Sequence, residues 1–166
     1  MNTIAQHIPA RPIANHAVQS VLRTEPLPGM TILRLALAGI LFPHGAQHLL
    51  GWFGGYGFSG THQWMTGIGF PSALATVAIV GEFVAPFALA LGLGGRLAAA
   101  FVVALMAGAV ATHAANGFFM NWFGSLPAGA EGYEYHLLVI AMAVTIVVHG
   151  SGQLSLDRAL STGSQN

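Results

Sequence analysis

The chain has no cysteine and no lysine, and its 166 residues include only five arginines and five acidic residues. Without Cys there are no disulfides, no thiolate catalysis, no c-type haem attachment and no thiolate-held iron–sulfur cluster, so no Cys-ligated cofactor is expected. With net charge zero and no Lys, no basic patch exists to neutralise phosphates, which excludes nucleic acid as a partner. Flavin, nicotinamide and iron–sulfur motifs are missing too. No stretch alternates with period two, as a spanning β-barrel would require. Residues 1–29 lack an apolar core ahead of a small-residue cleavage site and do not read as a signal peptide.

What remains is apolar: 54% hydrophobic against 6% charged residues, with a mean hydropathy of +0.66. That composition belongs to an integral membrane protein, and the length suits one domain. Four apolar stretches stand out, at 30–50, 72–93, 97–116 and 133–149. The first three extend about 30 Å as helices and the fourth about 25 Å. The expected fold is all-α, a bundle of four transmembrane helices with interfacial segments in its two outer loops. Residues 1–29 read as a polar cytoplasmic tail, 30–160 as the transmembrane domain, and 161–166 as a disordered tail.

Arginine placement sets the orientation. Arg11, Arg23, Arg96 and Arg158 fall on one side of a four-span chain, whereas loops 51–71 and 117–132 have neither Arg nor Lys. By the positive-inside rule both termini are cytoplasmic and those loops are outside. In the third span Ala100, Ala104, Gly108 and Thr112 recur every four residues, as do Ala107, Ala111 and Ala115. Rows of small side chains let helix backbones approach closely, which predicts that this span lies inside the bundle.

The outer loops and their borders hold twelve of the sixteen aromatic residues, among them Trp52, Phe53, Trp64, Phe118, Phe119 and Trp122. A one-sided aromatic belt is compatible with lipid anchoring and with a platform for a lipid-soluble ligand or partner protein. Residues 61–68 read as a short interfacial helix.

Two charges lie inside apolar stretches, Arg34 and Glu82. Glu82 falls near the bilayer midplane, where an ionisable group by default has a function. Arg34 is about 6 Å from the inner boundary and has two readings, snorkelling or forming a charge pair or relay with Glu82. His44 and His48 share a helix face at i, i+4. His113, His136 and Glu134 lie near the same outer side, with Glu134 and His136 at the entrance. Glu82 is expected to bond His44 or His113. Singly, each His is explained as an interfacial polar tip; their convergence is the stronger signal.

Three site types fit. One is a quinone or quinol pocket with aromatic walls, a His for the carbonyl and Glu82 as proton relay. Another is a copper or zinc site on His44, His48 and His113. The third, b-type haem between two His, ranks last because none lies deep.

The motifs His44-Gly45-Ala46-Gln47, Gly51-Trp52-Phe53-Gly54-Gly55, Gly81-Glu82, Arg96, His113 with Asn116-Gly117-Phe118-Phe119, Gly132-Tyr133-Glu134-Tyr135 and Ser155-Leu156-Asp157-Arg158 follow one another along the chain. Over 33–160 the sequence resembles the DoxX family of small four-span membrane proteins, although relatives often carry Lys where this chain has His48. The resemblance implies a bacterial inner-membrane protein connected with quinone-linked redox systems, with another redox subunit as partner. It supplies no catalytic mechanism. The expected function is a membrane subunit of a quinone-linked redox system, with Glu82, His44, His113 and Arg34 as the working groups. Trp52, Phe53, Phe118, Phe119, Glu134 and His136 are the expected ligand contacts. The competing readings are a non-enzymatic anchor or assembly factor that docks a partner, and metal handling at the outer face.

Overall fold

The computed structural model describes residues 13–124, 127 and 130–163. Seven α-helices run in order: α1 (Ile13–Leu22), α2 (Pro28–Leu50), α3 (Gly57–Gly67), α4 (Ser72–Leu91), α5 (Gly95–His113), α6 (Glu134–His149) and α7 (Leu156–Gly163). Every regular element among the described residues is helical.

Three helices, α2, α4 and α5 with its 3₁₀ extension to Asn116, are long and apolar enough to cross a membrane. The fourth apolar helix, α6, is shorter at 16 residues. Each of the four contributes one narrow stripe to the interior. On α2 the stripe runs through Met30, Arg34, Leu37, Leu41 and Gly45, on α5 through Gly95, Ala99, Val102 and Met106, and on α6 through Val139, Ala143 and Ile146. These steps of three and four residues are the spacing that keeps one side of a helix against its neighbours. The opposite faces, such as Ile32, Val77, Leu97 and Leu138, are apolar and exposed, which fits lipid contact and not water. In this arrangement α2 packs on α4 and α5 on α6, with α2 also touching α6.

Glycine sets the closest crossing. A Cβ on Gly45 would lie 2.6 Å from the Glu82 carbonyl oxygen and 2.7 Å from the Phe83 Cα. Only a residue without a side chain lets α2 and α4 meet backbone to backbone there.

Several expectations change. The polar N-terminal segment contains α1, and the first spanning helix begins at Pro28, where proline suits a helix start. Arg11 and the rest of residues 1–12 lie outside the described residues. The disordered tail expected from 161 is helical as far as Gly163, and 164–166 lie outside the described residues. The short helix expected at 61–68 is α3, which starts four residues earlier.

The small-residue rows of α5 are the larger correction. Ala100, Ala104, Ala107, Ala111, Thr112 and Ala115 are exposed, and α5 is the least buried of the three long helices. The interior is reached through Ala99, Val102 and Met106 instead. Ala99, Val102 and Met106 belong to one core cluster with Val139, Ala143 and Ile146 of α6.

Candidate functional site

Of the three buried charges among the described residues, Arg34 and Asp157 sit toward one end of the bundle and Glu82 toward the other. At the end that carries α1 and α7, Arg34 is 1% exposed. Its guanidinium donates to the carbonyls of Ser151 at 2.9 Å, Ala90 at 2.7 Å, Leu154 at 2.6 Å and also Leu89. Leu89 and Ala90 close α4, whose final carbonyls have no partner within the helix. Arg34 therefore caps the negative end of α4. Beside it, Asp157 accepts from Gly94 N at 2.7 Å, Gly95 N at 3.0 Å and Ser151 Oγ at 2.6 Å. Gly94 and Gly95 begin α5, so a carboxylate meets the positive end of that helix.

This arrangement corrects the expectation that Arg34 pairs with Glu82 or snorkels to the headgroups. Four carbonyls occupy the Arg34 donors, and Leu89 lies about 10 Å along α4 from Glu82. Its role here is to join α2, α4 and the 151–154 segment.

At the end that carries α3, Glu82 is 9% exposed and its Oε2 accepts from His48 Nδ1 at 2.6 Å. The partner is not His44 or His113, as expected from helix depth. The Gly45 crossing brings α4 against the next turn of α2, and His48 rather than His44 then faces Glu82. A carboxylate alone at this depth would cost several kcal/mol or take up a proton. Bonded to imidazole, it forms a pair in which a proton can pass between oxygen and nitrogen.

Around this pair is a cavity of about 560 Å³, within the ~300–1,000 Å³ typical of small-molecule sites. His44, His48, Glu82, His113 and His136 all line it. His44 lies against Tyr135, with ring centroids 5.7 Å apart, and His113 lies 4.8 Å from His136. His113 Nδ1 donates to the Ala109 carbonyl at 2.9 Å, which leaves Nε2 as the acceptor. The remaining wall is mostly apolar, with Trp64, Phe70, Phe101 and Met106 among the lining residues.

Sequence reasoning placed Trp64 in the outer aromatic platform and missed Thr61 and the site role of Tyr135. Thr61 is 5% exposed, and neither its hydroxyl nor that of Tyr135 has a hydrogen-bond partner. Both residues line the cavity. Buried hydroxyls without partners are rare, because each forfeits the hydrogen bonds it made in water. The available signal was the placement of Tyr135 next to His136 and the position of Thr61 on the short helix.

Trp52, Phe53, Phe118 and Phe119 are exposed and line no part of this cavity. Phe53 has φ 53°, the one positive-φ residue other than Gly among the described residues. Its carbonyl accepts from Gln47 Nε2 at 3.2 Å. Glu134 stays at the rim of the second aromatic loop, where its carboxylate accepts from Met120 N at 3.3 Å and Trp122 Nε1 at 3.4 Å. The metal expectation is also revised: among the described residues no three His, Asp or Glu side chains gather closely enough to hold an ion. His48 is committed to Glu82, and His113 turns toward His136, so the trio with His44 does not form.

No curated protein and no solved structure was found to match the sequence. The family model described as DoxX matches residues 29–115, more than half of the 166. The matched stretch takes in Arg34, His44, His48, Glu82 and His113 and stops before Tyr135 and His136. With helices long and apolar enough to cross a bilayer, this chain is a membrane protein of the DoxX family.

Proposed function

We propose that the protein is a four-span subunit of a quinone-linked redox system in a bacterial inner membrane, and that the cavity at the α3 end receives the quinone or quinol as substrate. The supporting observation is the His48–Glu82 hydrogen bond beside a mostly apolar cavity that His44, His113 and His136 also line. Oxidation of a quinol to a quinone releases two electrons and two protons. The His48–Glu82 pair is the local proton acceptor, and the electrons pass to a partner redox subunit. His44 offers a hydrogen bond to an oxygen of the head group, and His113 Nε2 accepts one from a quinol hydroxyl.

In this reading α6 is the fourth span. Its 16 residues extend about 24 Å and cross a locally thinned bilayer. Both termini are cytoplasmic, since Arg23, Arg96 and Arg158 lie at the α1/α7 end, where Arg96 Nε donates to the Arg23 carbonyl at 2.8 Å. Reporter fusions after Gly55 should report outside and a C-terminal fusion inside; a cytoplasmic signal after Gly55 would refute the topology.

Trp64 lines the cavity and provides a direct test. With Trp52 and Trp122 replaced by Phe, a short-chain quinone should quench Trp64 fluorescence saturably in reconstituted protein. Glu82→Gln should weaken that binding and remove the proton exchange that accompanies turnover. Unsaturable quenching would overturn the reading.

A second reading, an anchor or assembly factor that docks a partner, is favoured by the exposure of Trp52, Phe53, Phe118 and Phe119 outside the cavity. Copurification that is lost when these four become Ala, while quinone binding persists, would support it.

A further inference from the structure

We infer that the ligand of this cavity carries an apolar tail, and that it enters sideways from the bilayer through a cleft between α4 and α5. This inference deepens the site reading above and rests on it. The cleft has a floor. A Cβ on Gly81 would collide with the Phe101 ring, so α4 and α5 are in direct contact there. Beyond that contact, toward the α3 end, the lining comes from Leu74 and Val77 on α4 and from Ala104, Gly108 and Thr112 on α5. Leu74 and Val77 are 58% and 57% exposed, and Ala104 and Thr112 are exposed as well. The cavity therefore reaches the flank of the bundle between two helices long and apolar enough to cross a membrane, and its mouth faces hydrocarbon.

The small-residue row of α5 acquires a role here. Ala104, Gly108 and Thr112 line the opening, and Ala104 and Thr112 are exposed there. Nothing lies within 4 Å of where a Gly108 Cβ would be. Small side chains keep the cleft open, and its apolar lining suits an alkyl or isoprenoid chain. Further in, the side chains of His44, His48 and Glu82 line the cavity and suit a ligand head with oxygen-bearing groups. A polar head at the His48–Glu82 level with a tail between α4 and α5 satisfies both ends of the cavity. A water-borne, tailless ligand would leave the apolar cleft unused.

Gly108→Leu tests this, because open space at that Cβ lets the larger side chain enter without displacing another helix. The probes are a tailless benzoquinone and the same ring with a ten-carbon tail, read by Trp64 quenching in nanodiscs. Comparing variant with wild type for each probe cancels partitioning into lipid. Gly108→Leu should weaken the tailed probe at least tenfold and leave the tailless one within twofold. Ala104→Phe, one turn deeper, should do the same, and circular dichroism with size-exclusion profiles establishes that both variants fold. Equal effects on the two probes, or no effect on either, would overturn the tail cleft while leaving the head-group site standing. Wild-type protein that binds neither probe would overturn the quinone reading and this inference together.

Discussion

The two ends of the bundle treat a buried charge in opposite ways. Arg34 is surrounded by carbonyls, and Asp157 beside it accepts from two backbone N–H groups and a serine hydroxyl. Glu82 has one strong partner, His48, and lines an open cavity together with His44, His113 and His136. A saturated charge has no capacity left for a ligand, and its energy goes into holding helices together. A charge with spare valence beside open space is poised to bind or exchange a proton. Depth in the membrane alone does not separate these cases; the number of hydrogen bonds already made does.

The sharpest way to break this contrast is to remove each charge in turn. Arg34→Leu removes the guanidinium donors from the carbonyls of Leu89, Ala90, Ser151 and Leu154 and should cost about 3 kcal/mol or more. Glu82→Gln keeps shape and hydrogen bonding and should cost no more than about 1 kcal/mol. Denaturant unfolding in mixed micelles measures both, and equal losses would erase the distinction between the ends.

A finer test concerns the partner. His48→Ala leaves the Glu82 carboxylate unpaired and should destabilise by about 1–2 kcal/mol. His48→Lys restores a cation opposite Glu82 and should recover most of that loss, but with no imidazole it should alter the pH profile of proton exchange. A lysine variant no better than the alanine one would show that shape, and not charge, is what His48 supplies.

The smallest effect is expected in the aromatic loop, which belongs to neither end's charge network. Phe53 holds a left-handed backbone, a conformation that costs a non-Gly residue about 1 kcal/mol. Phe53→Gly should raise stability by about that much and leave quinone quenching of Trp64 intact. Lost quenching would bring Phe53 into the site.

The sequence makes the spans, the Glu82 anomaly and the clustering of His44, His48, His113 and His136 toward one end legible, because helical periodicity fixes faces and depths to within a turn. Choosing His48 over His44 as the Glu82 partner requires the vertical offset between α2 and α4, and that offset depends on the Gly45 contact. Arg34 was misread for a related reason: two of its acceptors, Ser151 and Leu154, lie 117 and 120 residues away in sequence. The small row of α5 has the composition of a packing face but lies along a cleft. Composition says what a face could accept, and only the relative rotation of the helices says what it meets.

The contact at Gly45 has a further consequence, for reorganisation energy. The α2 and α4 backbones touch one turn from His48 and at Glu82 itself, so the two helices that carry the pair are held at a fixed spacing there. Water around a free carboxylate must reorient whenever a proton arrives or leaves. Groups fixed on touching helices are already oriented, so that cost is met once, during folding, and need not be met again in each cycle.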